Sequence, residues 1–101
     1  MIELGGNIQL VGFKELDRAN MIVVKKIVGN YTKKISEACE KFEKLTVTMK
    51  PVHQTEQSSK YELHVKVIDN GKPYNSEITE RNLYIGLDNA LKKIETMLKK
   101  R

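Results

Sequence analysis

The last twenty residues, 82–101, carry the most regular apolar pattern of the chain. The apolar side chains recur there at steps of three and four residues, at Leu83, Leu87, Ala90, Leu91, Ile94 and Leu98. This spacing places them on one stripe of an α-helix. Two pairs of lysines lie on the other side, Lys93 with Lys100 and Lys92 with Lys99. Such a helix buries one face on a neighbouring layer and offers the other to a polyanion.

A second long helix is predicted within residues 21–42. Its apolar stripe continues for about five turns, at Val24, Ile27, Val28, Tyr31, Ile35, Ala38, Cys39 and Phe42. Asp17 or Asn20 is suited to cap its start. Gly29 interrupts the stripe at a cost of roughly 1 kcal/mol relative to alanine, which the long stripe outweighs.

Four segments read as strands. Residues 8–13 form a short one, and residues 44–52 and 60–68 alternate between apolar and polar side chains. The Asn70-Gly71 pair predicts a tight hairpin, and its position makes 73–80 the next strand. Residues 53–59 read as a polar loop that we expect to be mobile.

The predicted order is therefore β-α-β-β-β-α within one domain, residues 1–101. Two apolar helix stripes and one alternating sheet face imply an α+β two-layer sandwich. We expect a four-stranded sheet with both helices on one face and a polar, solvated opposite face. That open face would carry Thr46, Thr48, Lys50, Glu62, His64 and Lys66.

The net charge of +5 is concentrated in the helices. Residues 21–42 hold five cations against two carboxylates, as do residues 83–101, and the remainder of the chain is close to neutral. Because most of the cations are lysines, they suit phosphate contacts more than base reading. The predicted RNA-binding residues are Lys25, Lys26, Lys33, Lys34, Lys92, Lys93, Lys99 and Lys100. The alternative, common for lysine-rich helices, is that these faces are simply solvated.

No catalytic or metal motif is found in the sequence. His53 and His64, with the single cysteine Cys39, do not form a C-x-x-C or H-E-x-x-H pattern. We expect His64 to face solvent and Cys39 to be a small core residue of the first helix. The sequence therefore predicts a non-enzymatic protein without metal, cofactor or small-molecule substrate.

Residues 60–100 resemble the ribosome hibernation-promoting factor family, whose members are also called ribosome-associated inhibitors or sigma-54 modulation proteins. That family has an alternating strand, a glycine turn, a second strand and a helix that opens D-M-Y-A-A-I-D and closes K-L-E-x-Q-L-x-K. This chain matches at Leu83-Tyr84, Leu87-Asp88, Lys93-Ile94-Glu95, Leu98 and Lys100. It departs at Asn82, which replaces an acidic residue, and at Thr96-Met97, which replace an Arg-Gln pair.

The resemblance implies a fold similar to a double-stranded-RNA-binding domain and binding to the small ribosomal subunit near its decoding centre. It implies that Lys93 and Lys100 contact ribosomal RNA, whereas Lys26 and Lys33 rest on helix geometry. We also expect a cytoplasmic translation inhibitor that is a monomer when free; the single cysteine, Cys39, cannot form an internal disulfide, which fits a reducing cytoplasm. The extra C-terminal domain of the long family members is not expected here.

Two other functions stay open from the sequence. One is a general module for structured RNA of the double-stranded type, which would bind free duplex. The other is a protein-interaction or assembly module that uses open sheet edges or the polar sheet face.

Overall fold

The computed structural model describes residues 2–5, 7–52 and 60–100. The predicted loop 53–59, with His53, lies outside the described residues. Seven elements follow in order: β1 (Ile2–Glu3), β2 (Ile8–Val11), α1 (Arg18–Ala38), β3 (Phe42–Val52), β4 (Lys60–Asp69), β5 (Lys72–Glu80) and α2 (Leu83–Lys100).

The sheet has the strand order β1-β2-β3-β4-β5. Strand β2 runs parallel to β3, and α1 makes the crossover between them. Strands β3, β4 and β5 form an antiparallel meander. The predicted fold class is therefore confirmed, with one addition: the two-residue strand β1 pairs antiparallel with β2 and forms a short edge.

The two helices cover one face of this sheet. Alternate strand residues point into a shared core, and the register pairs Leu45 with Val67 and Val47 with Val65. The hydroxyl of Ser76 on β5 donates to the backbone carbonyl of Ala90 on α2, at 2.8 Å. This buried bond fixes α2 to its strand. None of the helices described is long and apolar enough to cross a membrane.

The hairpin between β4 and β5 is the two-residue turn that the sequence predicts. Asn70 and Gly71 both adopt positive φ, 51° and 80°, as a type I′ turn requires. Asp69 and Lys72 form the last pair before the turn. The turn therefore fixes the register of the whole hairpin.

The C-terminal end of α1 corrects the prediction. The helix stops at Ala38, so Phe42 is the first residue of β3 and does not belong to the helical stripe. Cys39 is the C-cap and is half-buried rather than fully buried. The chain leaves the helix because the buried carboxylate of Asp69 accepts hydrogen bonds from the backbone N–H groups of Glu40 and Lys41.

The starts of the helices follow the predicted capping chemistry. Asp17, rather than Asn20, is the N-cap of α1, and its side chain accepts from the Asn20 backbone N–H at 2.8 Å. Asn82 precedes α2 and accepts from the N–H groups of Tyr84 and Ile85. Each side chain satisfies backbone donors that the first helical turn leaves unpaired.

Strand β2 is shorter than the predicted strand 8–13 and ends at Val11. Gly12 follows with a φ of 84°, and a Cβ atom there would lie 2.2 Å from the carbonyl oxygen of Met49. Only glycine allows the chain to pass β3 this closely. Phe13 then turns into the core, where it is almost completely buried.

Candidate nucleic-acid interface

Helices α1 and α2 lie side by side and run in the same direction. Near their starts, the Tyr84 hydroxyl donates to the side-chain carbonyl of Asn20. Further along, the Tyr31 hydroxyl donates to the carboxylate of Asp88, at 2.9 Å. These two hydrogen bonds join the helices, so their outward faces form one layer of fixed relative position.

The surroundings of the Tyr31 hydroxyl make it a weaker acid than a free tyrosine. Burial, the hydrogen bond to Asp88 and the negative charges of Asp88 and Glu95, in that order of size, together raise the pKa of the Tyr31 hydroxyl from 10.0 to about 12. Tyr31 therefore keeps its proton and remains a hydrogen-bond donor across the physiological range. The ammonium group of Lys34 lies over the same ring, 5.2 Å from its centroid.

All eight lysines predicted to bind RNA are exposed. The structure brings two of them together across the groove between the helices, where Lys34 and Lys99 line the same depression as Glu37 and Glu95. Lys33 lies on the outer side of α1, in a depression with Gly29 and Asn30.

Two other lysines lie on the opposite flank of the helix layer. Lys92 and Lys93 line a depression with Ile78 of β5 and Met97. This flank faces away from α1, because α2 packs over β4 and β5. The predicted single surface is therefore a layer with a central groove and two lysine-bearing flanks.

The helix layer carries an excess of positive charge. Helix α1 holds five basic residues against one carboxylate, and α2 holds four against two. Among the described residues, the ion pairs made by these lysines are limited to Lys99 with Glu95, at 3.0 Å. Lys26, Lys33, Lys93 and Lys100 are exposed and make no ion pair within the described part of the chain.

The open sheet face holds a cluster that sequence reasoning missed. His64 is half-exposed there, as a solvent-facing residue should be, but it lies between the carboxylates of Glu62 and Glu77. Glu62 is two residues before it on β4, and Glu77 is its direct cross-strand partner on β5. The Asn70-Gly71 turn was the available signal, because a two-residue turn closed by Asp69 and Lys72 sets His64 opposite Glu77.

Comparison with known proteins identifies the fold. No family model matches the chain, and no curated protein sequence matches it. Solved structures do match. One is the N-terminal domain of Protein Y from Thermus thermophilus, with 18% identity, a TM-score of 0.55, and coverage of 92% of this chain and 93% of that one.

Another match is a ribosomal subunit interface protein from Coxiella burnetii. It has 16% identity and a TM-score of 0.57, and the alignment covers 93% of this chain and 92% of that chain. The chain has the fold of these two proteins. The likeness extends over almost the whole length in each case, so the shared unit is the complete arrangement of sheet and helices.

Proposed function

We propose that this protein is a ribosome-associated translation inhibitor that binds structured RNA of the small subunit through its helix layer. The observation that carries the proposal is the set of exposed lysines on two parallel helices, whose positive charge is not matched by carboxylates of the same layer. One structural neighbour is a ribosomal subunit interface protein, which supports the choice of partner.

The proposed mechanism is steric and involves no chemical step. Lysine ammonium groups act as point charges for phosphate, and the release of counterions from RNA supplies much of the free energy of binding. Within each pair, Lys26 with Lys33 and Lys93 with Lys100, the separation along the helix axis is roughly 10 Å. A bound domain would occupy subunit surface that translation requires. The free protein is proposed to be a cytoplasmic monomer.

Charge reversal on α2 tests the proposed surface. The double variant Lys93→Glu and Lys100→Glu should lose co-sedimentation with small ribosomal subunits at low salt, because two attractive contacts become repulsive. Both side chains are exposed, so the circular dichroism spectrum should not change. Wild-type binding should weaken steeply as salt rises.

The matched control reverses the same amount of charge on the other face of the sheet. Lys50 and Lys66 are exposed on the open face, and the variant Lys50→Glu and Lys66→Glu should retain association. The helix layer is the wrong surface if the α2 variant still binds, or if both variants lose binding equally. Absence of co-sedimentation of the wild type at low salt would refute the ribosomal partner.

The second candidate function, a general module for duplex RNA, predicts different residues at the start of the last helix. Such a module is expected to place cations at the beginning of the last helix, whereas here Ile85 is the exposed residue of the first turn of α2 and Ile22 and Val23 are exposed near the start of α1. The protein should therefore bind bare duplex RNA, measured by gel shift, much more weakly than it binds ribosomal subunits at the same salt concentration.

A further inference from the structure

Three side chains with metal-binding atoms meet on the open sheet face, on the side of the sheet away from the helices. They are Glu62 and His64 on β4 and Glu77 on β5, and one donor atom from each lies within 4.8 Å of the others. The Nε2 atom of His64 is 2.5 Å from Oε1 of Glu62, and its Nδ1 atom is 3.8 Å from Oε2 of Glu77.

The two carboxylates of this cluster carry negative charge that a bound cation would neutralise. A neutral imidazole carries one N–H, so it satisfies only one of the two carboxylates that face its ring nitrogens. The other nitrogen presents a lone pair toward a negatively charged group. A metal ion bound to one ring nitrogen removes this mismatch when the side chains of Glu62 and Glu77 turn toward that same nitrogen.

The backbone positions suit a shared ion. Residues two apart on a strand point to the same face, and direct cross-strand partners have Cβ atoms about 5 Å apart. The antiparallel pairing of β4 with β5 supplies both relations, Glu62 to His64 along the strand and His64 to Glu77 across it. The three ligand positions are thus fixed by regular sheet rather than by a loop.

We propose that Glu62, His64 and Glu77 form a binding site for a divalent transition metal, with Zn²⁺ as the best fit. Zinc bonds of about 2.0–2.2 Å to imidazole nitrogen and carboxylate oxygen place neighbouring ligand atoms roughly 3.4 Å apart in a tetrahedron. All three donor atoms lie within 4.8 Å of one another. The Glu77 side chain is 62% exposed and can rotate to close the difference.

The donor set selects the metal. Imidazole nitrogen favours zinc and its neighbours in the transition series, whereas Mg²⁺ and Ca²⁺ require shells made of oxygen. Three protein ligands leave the fourth tetrahedral position open to water or to an oxygen of a partner's phosphate. Lys50 and Lys66 on the same face oppose a cation, so the affinity should fall below that of a closed structural zinc site.

Titration calorimetry of the free protein with zinc chloride tests this site. The wild type should bind one equivalent of Zn²⁺, and His64→Ala and Glu77→Gln should each weaken binding at least tenfold, because even outer-shell changes cost about 10–100-fold in metal affinity. The control is His53→Ala, which removes the other histidine of the chain and should leave the affinity unchanged. Calcium chloride should give no comparable binding.

Cobalt substitution supplies a readout of geometry. Co²⁺ bound to the wild type should show the visible absorption of a four-coordinate centre, and His64→Ala should abolish it. Unchanged circular dichroism spectra would show that these variants fold. The proposal is overturned if the wild type binds no zinc, if binding survives both ligand variants, or if His53→Ala removes it. All measurements use free protein, so their result is independent of ribosome binding.

Discussion

At the scale of single residues, Tyr31 connects the two helices through one hydroxyl. Replacing it with phenylalanine removes the bond to Asp88 but leaves the packed ring. Because the Asp88 carboxylate is exposed and regains water, the free energy of unfolding at pH 7 should fall by only about 1 kcal/mol. Urea denaturation of the wild type and of Tyr31→Phe measures this difference.

The same tyrosine predicts a dependence of stability on alkaline pH. Its pKa is raised from 10.0 to about 12 in the folded protein, so between these values the native state holds a proton that the unfolded chain releases. Stability from this group is therefore complete below pH 10 and is lost as the pH rises toward 12. The difference between the wild type and Tyr31→Phe should shrink across this interval, whereas lysine titration affects both proteins. A constant difference would contradict the assignment.

At the scale of elements, two helical glycines have opposite roles. A Cβ atom at Gly86 of α2 would lie 2.7 Å from Cδ1 of Leu63, so this helix approaches the sheet at a distance that only glycine permits. Gly29 of α1 is exposed, and a Cβ atom there would meet nothing within 4 Å. Of these two glycines, Gly86 is therefore the one that lies where its helix approaches the sheet closely.

Alanine substitution at these glycines should shift stability in opposite directions. Gly86→Ala should lower the free energy of unfolding by about 1–3 kcal/mol, because overpacking forces the helix away from the sheet. Gly29→Ala should raise it by up to about 1 kcal/mol through helix propensity. Thermal and urea unfolding of both variants check the pair, and a change of the same sign in both would refute the packing argument.

The elements that the sequence predicts well are those with local causes. Asn70-Gly71 specifies its own turn, and Asn82 caps the helix that follows it. The end of α1 has a distant cause, because Asp69 binds the backbone at Glu40 and Lys41. The helical spacing of apolar residues continues to Phe42, so it does not predict that the helix ends at Ala38. The cluster at His64 depends on the register of two strands, so it can be found from the sequence only by following the pairing outward from the Asn70-Gly71 turn.

At the scale of the whole molecule, the lysine positions illustrate a second limit of sequence reasoning. Helical spacing correctly predicts that all eight lysines are exposed. It does not specify how two helices pack, and so it misses the groove that Lys34 and Lys99 share and the separate flank formed by Lys92 and Lys93. Side-by-side placement depends on pairs such as Tyr84 with Asn20, which join residues far apart in the chain.

The parallel pairing of β2 with β3 has a consequence for folding. Ile8 pairs with Leu45 across the α1 crossover, whereas β3, β4, β5 and α2 contact their neighbours in sequence. Loop-closure entropy makes such long-range pairing the slower and weaker step. Strand β2 should therefore join the sheet after β3, β4 and β5, although it precedes them in the chain. Native-state hydrogen exchange should show β2 amides opening at lower free energy than those of β4; equal protection would mean that the sheet assembles as one cooperative unit.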